Sequence, residues 1–252
     1  MRQVARQPSL YSRELERMSS HAGIAAALHE VRARIAAAAR ASGRAADAVT
    51  LVAVTKTVPA SDVRVAIAAG ATALGENRVQ ELVAKAEALG KPDGPGVGDG
   101  RDRAYEWHLI GRLQRNKVRA AAPYVALWQS IDRADLAAEV GRRAPGAAVL
   151  VQVNVAGEPQ KGGCALEAVD ALVDDCRAAG CRVEGLMTVP PAAGDPRPMF
   201  ARLRRMTDDL GLSVCSMGMS GDYELAIGEG ATMVRVGSAI FGPRPGPGDA
   251  RR

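Results

Sequence analysis

From residue 49 to residue 236 the chain alternates short β-branched or apolar runs with longer stretches in which apolar positions recur at helical spacing. The short runs are Val49–Val54, Ala71–Leu74, Trp107–Ile110, Ala126–Ile131, Val149–Val153, Val183–Met187, Ser213–Met217 and Met233–Val236. Their length and composition predict eight strands. The segments between them, among them Ser61–Ala69, Asn77–Leu89, Asp132–Arg142, Ala165–Ala179 and Pro198–Leu210, carry helical periods or helix-start signals such as Ser61-Asp62 and Asp132. Strand and helix in strict alternation build a parallel sheet, open and doubly wound or closed into a barrel. A count of eight favours one (β/α)8 barrel of the TIM type. Ahead of the first strand, Ile24, Leu28, Val31 and Ile35 in an alanine-rich run predict an extra amphipathic helix from about Ser20 to Arg40, ended near Gly43.

The pattern places one barrel domain at residues 19–243. Residues 1–18 are polar, arginine-bearing and without period, and read as a disordered leader, with Met18 as an alternative start. Residues 91–104, KPDGPGVGDGRDRA, read as a flexible surface insert, and 244–252 as a flexible tail. No second domain is expected after the eighth strand. Aromatic residues are only 3% of a chain that is 47% hydrophobic, so the core must be filled by many small aliphatic contacts, which suits helices layered on a sheet. No apolar run approaches the roughly 20 residues that span a bilayer, and no signal-type apolar region opens the chain, so no membrane partner and a cytoplasmic location are expected. Cys164, Cys176, Cys181 and Cys215 form no C-x-x-C pair and read as reduced structural thiols, with no metal site. The net charge of +5 comes from scattered arginines. Arg112, Arg115, Lys117 and Arg119 lack interleaved aromatics, so that basic stretch reads as a solvated helix start and nucleic acid is not expected as a partner.

Of 33 basic residues only five are lysines: Lys56, Lys85, Lys91, Lys117 and Lys161. An arginine-preferring chain keeps a lysine where amine chemistry requires one, because a guanidinium cannot act as a Schiff-base nucleophile. Lys56 is placed for this role. It ends the first strand, on one face with Val52 and Val54, at the C-terminal rim where barrel sites lie. Partial desolvation there would favour the free amine. SMGMSGD after the seventh strand and RVGS after the eighth resemble an anion cradle, with Ser220 and Ser238 as candidate helix caps. Arg235, between Val234 and Val236, must find a polar partner or face the barrel mouth. Gly75–Asn77, His108 and Asn154 also fall near strand ends; a lone strand histidine is more often a hydrogen-bonded core residue than a catalyst.

The motifs VAVTK ending at Lys56, GENRVQE from Gly75, WHLIGRLQRNK from Trp107, Ser130–Asp132, GLMTVPP from Gly185, MGMSGDYELAI from Met217 and TMVRVGSAIFG from Thr232 together resemble the pyridoxal-phosphate homeostasis proteins. Those proteins are similar to the barrel domain of alanine racemase standing alone. The resemblance covers about residues 22–243. It implies that pyridoxal 5′-phosphate is held as an internal aldimine on Lys56, that Ser220, Gly237 and Ser238 hold the phosphate, that Arg235 faces the pyridine nitrogen, and that Asn77 and Met219 lie close by. Gly221 departs from the family pattern, which has an acidic or polar residue there.

The function expected on these grounds is intracellular pyridoxal-phosphate homeostasis by a carrier without catalytic residues, with cofactor-dependent apo-enzymes as candidate partners and a monomer as the expected state. The rival is a cofactor-dependent racemase-like or decarboxylase-like enzyme. Two-domain racemases bring a tyrosine base from a second domain; here Tyr223 alone falls near the candidate site. A class I aldolase would need an acid–base set beside the lysine that the sequence does not display.

Overall fold

The computed structural model describes residues 10–90, 105–158, 161–190 and 194–243, with side chains from His21 onward. The expected leader up to residue 9, the insert at 91–104 and the tail at 244–252 lie outside the described residues.

All eight expected strands form: β1 (Thr50–Val54), β2 (Ala73–Glu76), β3 (Glu106–Leu109), β4 (Val125–Ile131), β5 (Ala148–Gln152), β6 (Arg182–Met187), β7 (Val214–Ser216) and β8 (Met233–Val236). They pair in parallel in chain order, and β8 closes on β1 through the register Val52–Arg235. The chain is a (β/α)8 barrel. Its helices are α1 (Leu10–Ala41), α2 (Ala60–Ala68), α3 (Val79–Leu89), α4 (Val118–Ala121), α5 (Ala134–Arg143), α6 (Val169–Ala178), α7 (Arg197–Asp209), α8 (Tyr223–Gly228) and α9 (Ser238–Phe241). Single 3-10 turns lead into α4 and α6.

Two corrections concern ends. Helix α1 begins at Leu10, inside the stretch expected to carry no element. Once a helix is nucleated, adding a residue costs little, so Leu, Glu, Arg and Met ahead of Ser20 extend it without an amphipathic period. Strand β1 stops at Val54, so Lys56 lies in the turn beyond the strand, not at its last position.

The period-two pattern sorts side chains into two cores. Outward residues such as Ala53, Leu74, Trp107, Leu109, Trp128 and Val234 pack under the helices, together with Leu28, Val31 and Ile35 of α1. Inward residues Val52, Ala73, Leu127, Leu150, Met187 and Met233 fill the barrel. Each fully buried aliphatic side chain contributes roughly 1.5–3 kcal/mol, so with so few aromatics the fold rests on the number of such contacts. The barrel is therefore a packed core that can hold a site only at its rim.

Candidate functional site

A cavity of about 520 Å³ opens at the C-terminal rim above β7, β8, β1 and β2. All seven candidate binding residues, Lys56, Asn77, Met219, Ser220, Arg235, Gly237 and Ser238, line it. Barrel closure brings the β1 turn beside the loop after β8. A Cβ on Gly237 would come within 3.1 Å of the Val54 carbonyl oxygen, so the bare backbone allows that close approach. Gly111 plays the same part for Asn77, because a side chain there would sit 2.2 Å from the Asn77 carbonyl oxygen. Apolar walls come from Val54, Ile110, Val189 and Phe241.

Lys56 is half-buried and is followed by Thr57, whose φ of 66° makes it the non-glycine residue with positive φ among those described. Such a conformation costs on the order of 1–3 kcal/mol and persists only when its surroundings hold it. A buried ion cluster supplies the hold. The Thr57 N–H donates to Glu81 Oε1 (2.5 Å), and Lys85 Nζ donates to the Thr55 carbonyl (2.6 Å), Glu76 Oε1 (2.5 Å) and Glu81 Oε1 (2.8 Å). Thr55 Oγ1 also donates to Glu76 Oε1 (2.6 Å). Glu76 is fully buried; burial pushes its carboxyl above the ordinary range, against the opposing pull of Lys85 and Thr55. Sequence reasoning missed these residues. The Glu81–Lys85 spacing on one helix face was visible, but its burial against β1 was not.

Arg235 is 4% exposed and projects inward. Nη1 donates to Ser216 Oγ and Nη2 to the Thr188 carbonyl, both at 2.7 Å. No carboxylate among the described residues contacts it. Burial lowers its pKa to about 10, and Asp222 opposes the shift, so it stays a cation at neutral pH. With Lys56 and Arg235 facing only Asp62 among its charged lining residues, the cavity favours an anion.

The serines do not cap as expected. Asp222 occupies the N-cap position of α8, and its Oδ1 accepts from the Met219 N–H (2.6 Å). Gly237 is the N-cap of α9, and its N–H donates to Ser220 Oγ (3.1 Å). Ser220 thus bridges the two loops, and Ser238 stands exposed at the first helical position. The reason is distance along the chain: a cap must directly precede its helix, and Ser220 sits two residues before the α8 N-cap. Gly221 lines the rim, with open space where a Cβ would stand.

Other candidates fall away from the cavity. Asn154 closes its own loop, with Nδ2 donating to the Glu158 carbonyl and Oδ1 accepting from the Glu158 N–H. His108 is buried inside the barrel, and Tyr223 is buried under α1 with the Arg34 guanidinium 5.5 Å from its ring centre. Burial pushes the Tyr223 hydroxyl pKa upward, and it does not line the cavity, so it is not a base for this site. The four cysteines are buried free thiols. Burial pushes Cys176 up to about 12 and Cys164 and Cys215 to about 11, which leaves them unreactive at neutral pH.

Residues 27–245 match the family described as alanine racemase, N-terminal domain. The pyridoxal phosphate homeostasis protein of Pseudomonas aeruginosa is 42% identical over 231 residues, covering 88% of this chain and 96% of that one. Among solved structures, an unknown protein from Bifidobacterium adolescentis superposes with a TM-score of 0.81 at 38% identity, covering 88% of this chain and 96% of its own. PipY of Synechococcus elongatus, solved with PLP bound, gives a TM-score of 0.72 at 32% identity, covering 87% of this chain and all of that one.

Proposed function

Because the chain belongs to the alanine racemase N-terminal domain family, and within it to the pyridoxal phosphate homeostasis proteins, we propose that it binds pyridoxal 5′-phosphate in the rim cavity, as a Schiff base on Lys56, and acts in cofactor homeostasis as a carrier. The observation that carries this reading is the buried Arg235 guanidinium, which has no contacting carboxylate among the described residues and lines a cavity shared with a half-buried lysine and two rim serines. Its two acceptors, Ser216 Oγ and the Thr188 carbonyl, are neutral, so this buried cation is further stabilised by an anion in the cavity. The cofactor fits the need: it is an anion with a ring nitrogen and an amine-reactive aldehyde, and when bound it supplies reversible imine formation.

In this reading Lys56 holds the aldehyde carbon, while Ser220, Gly237 and Ser238 hold the phosphate and Asn77 and Met219 flank the ring. The Gly237 N–H, which donates to Ser220 Oγ here, would be shared with the phosphate. Arg235 would face the ring nitrogen. A guanidinium at neutral pH only donates hydrogen bonds, so the nitrogen facing it must accept and stay unprotonated. An unprotonated pyridine is a weak electron sink, which suits a carrier more than an enzyme that must stabilise carbanions. The expected setting is the cytoplasm, with the protein as a monomer delivering cofactor to dependent apo-enzymes. Four buried free thiols support a reducing compartment, and among the described residues no helix is long and apolar enough to cross a membrane.

The test is the absorbance spectrum of purified protein with pyridoxal phosphate, before and after borohydride reduction, followed by peptide mapping. A visible band that borohydride bleaches, with the label on Lys56, is expected; absence of the band would sink the reading. Replacing Ser220 with Asp should weaken pyridoxal phosphate by about tenfold or more, since an acid there repels the phosphate, and should hardly change phosphate-free pyridoxal. Equal loss for both ligands in a titration would show that these loops hold no phosphate. The loaded protein should show no racemase, transaminase or decarboxylase turnover on a broad amino-acid panel. A sustained Lys56-dependent rate on the order of 1 s⁻¹ or faster would promote the enzyme reading.

A further inference from the structure

Below the cavity, a line of polar groups crosses the otherwise apolar barrel interior. Arg235 Nη1 meets Ser216 Oγ at 2.7 Å, Ser216 Oγ meets Gln129 Oε1 at 2.7 Å, Gln129 Nε2 meets His108 Nδ1 at 2.8 Å, and His108 Nε2 meets Glu106 Oε1 at 2.7 Å. Arg235, Ser216, Gln129 and His108 are each no more than 4% exposed; Glu106 opens β3, at the opposite rim, with its side chain 45% exposed. The two ends and the amide between them fix the polarity. A guanidinium can only donate, an ionised carboxylate can only accept, and the Gln129 amide lies with Oε1 toward Ser216 and Nε2 toward His108, so the hydroxyl, amide and imidazole all point one way. Ser216 donates to Gln129, Gln129 donates to His108 Nδ1, and His108 carries its proton on Nε2 and donates to Glu106.

We propose that Ser216, Gln129, His108 and Glu106 form a one-way hydrogen-bond relay that positions Arg235 and sets the strength with which its remaining N–H groups act on the ligand in the cavity. The relay gives a buried cation acceptors backed by a negative charge at the far rim. A carboxylate placed directly on Arg235 would instead put a second negative charge beside an anion site and offer the ring nitrogen a proton-exchanging neighbour. Hydrogen bonds in such a chain polarise one another, by about 10–30% per bond, so a change at Glu106 is felt at Arg235. Ser216, Gln129, His108 and Glu106 are positioning residues, since none of them lines the cavity. The effect on ligand rests on the reading of the cavity as a pyridoxal-phosphate site; the direction of the relay does not.

The experiment has two arms. Nitrogen-15 spectra of the ligand-free protein, with the His108 signals assigned by a His108→Phe variant, should show a neutral ring protonated on Nε2 and accepting at Nδ1. A proton on Nδ1 would overturn the relay. In the second arm, Gln129→Leu cuts the chain and Glu106→Gln removes the far charge while keeping an acceptor. Both should shift the visible band of bound pyridoxal phosphate in the same direction, with affinity falling about tenfold for Gln129→Leu and less for Glu106→Gln. The Glu106→Gln shift should appear with the ligand-free melting temperature unchanged. Bands and affinities equal to wild type in both variants, or a lowered melting temperature with an unshifted band in Glu106→Gln, would reduce these residues to structural packing and overturn the proposal. If wild-type protein bound no pyridoxal phosphate, the cavity reading would fall, and the proton position on His108 would still decide the relay.

Discussion

Replacing Lys56 with alanine is expected to leave a folded protein on which borohydride can fix no pyridoxal phosphate. Lys56 is half-buried in a rim turn, so truncating it should change stability by no more than about 1 kcal/mol. Among the described lysines no other can take its place. Lys85 is locked beneath the turn by Glu76, Glu81 and the Thr55 carbonyl, Lys117 lies in a 3-10 turn outside the cavity, and Lys161 donates to the Pro190 carbonyl and pairs with Glu158. Lys91 lies outside the described residues, within the insert. Mass spectrometry of reduced, digested protein reads the outcome directly. Stoichiometric cofactor fixed to a different lysine in the variant would overturn the assignment of Lys56.

Replacing Lys85 with methionine should cost about 3–5 kcal/mol of stability, the usual consequence of removing one partner from a buried ion pair. Glu76 would keep its full burial and lose its only cationic contact among the described residues. The loss should depend on pH with a definite sign. Glu76 has a folded-state pKa above its ordinary value, because of burial, and removing Lys85 raises it further. The folded variant then binds more protons than the unfolded chain between the ordinary carboxylate range and the raised value. Stability is therefore highest below that window and falls as pH rises through it. Denaturant unfolding of wild type and variant at acidic and neutral pH checks this, with the deficit smaller at acidic pH. A double variant, Lys85→Met with Glu76→Met, should regain most of the loss, since a well-packed apolar pair can replace a buried ion pair. A fully stable single variant would show that the cluster contributes nothing. The same single variant should also loosen the turn at Thr57, whose backbone rests on Glu81, so Lys56 should form its linkage to the cofactor less completely.

Period-two alternation along LVAVTK and EWHL was sufficient to sort Val52 and Val54 from Ala53, and Glu106 and His108 from Trp107 and Leu109, onto the two faces of their strands. Eight such runs separated by helical stretches determined the barrel, and the barrel placed Lys56 near its C-terminal rim. Family motifs singled out seven binding residues, and all seven are among those that line the cavity. These properties are local: periodicity and flanking turn residues are written within a few positions of each element.

Only the tertiary structure decided what each polar group meets. Ser220 looked like a cap for its own helix and instead accepts from Gly237, which closure of β8 onto β1 brings within reach. Lys85 falls in a helical stretch of the sequence, and only the fold buries it in an ion cluster shared with β1 and β2, while Tyr223, close to the site in sequence, turns away beneath α1. His108 was readable as a hydrogen-bonded core residue, but its place in a line from Arg235 to Glu106 depends on β3, β4, β7 and β8 facing one another across the barrel. A hydrogen bond is satisfied within about 3 Å, and no pattern along the chain states which residues from distant strands will stand that close. Closure of the barrel sets those distances, and with them the charge, the proton positions and the shape of the cavity.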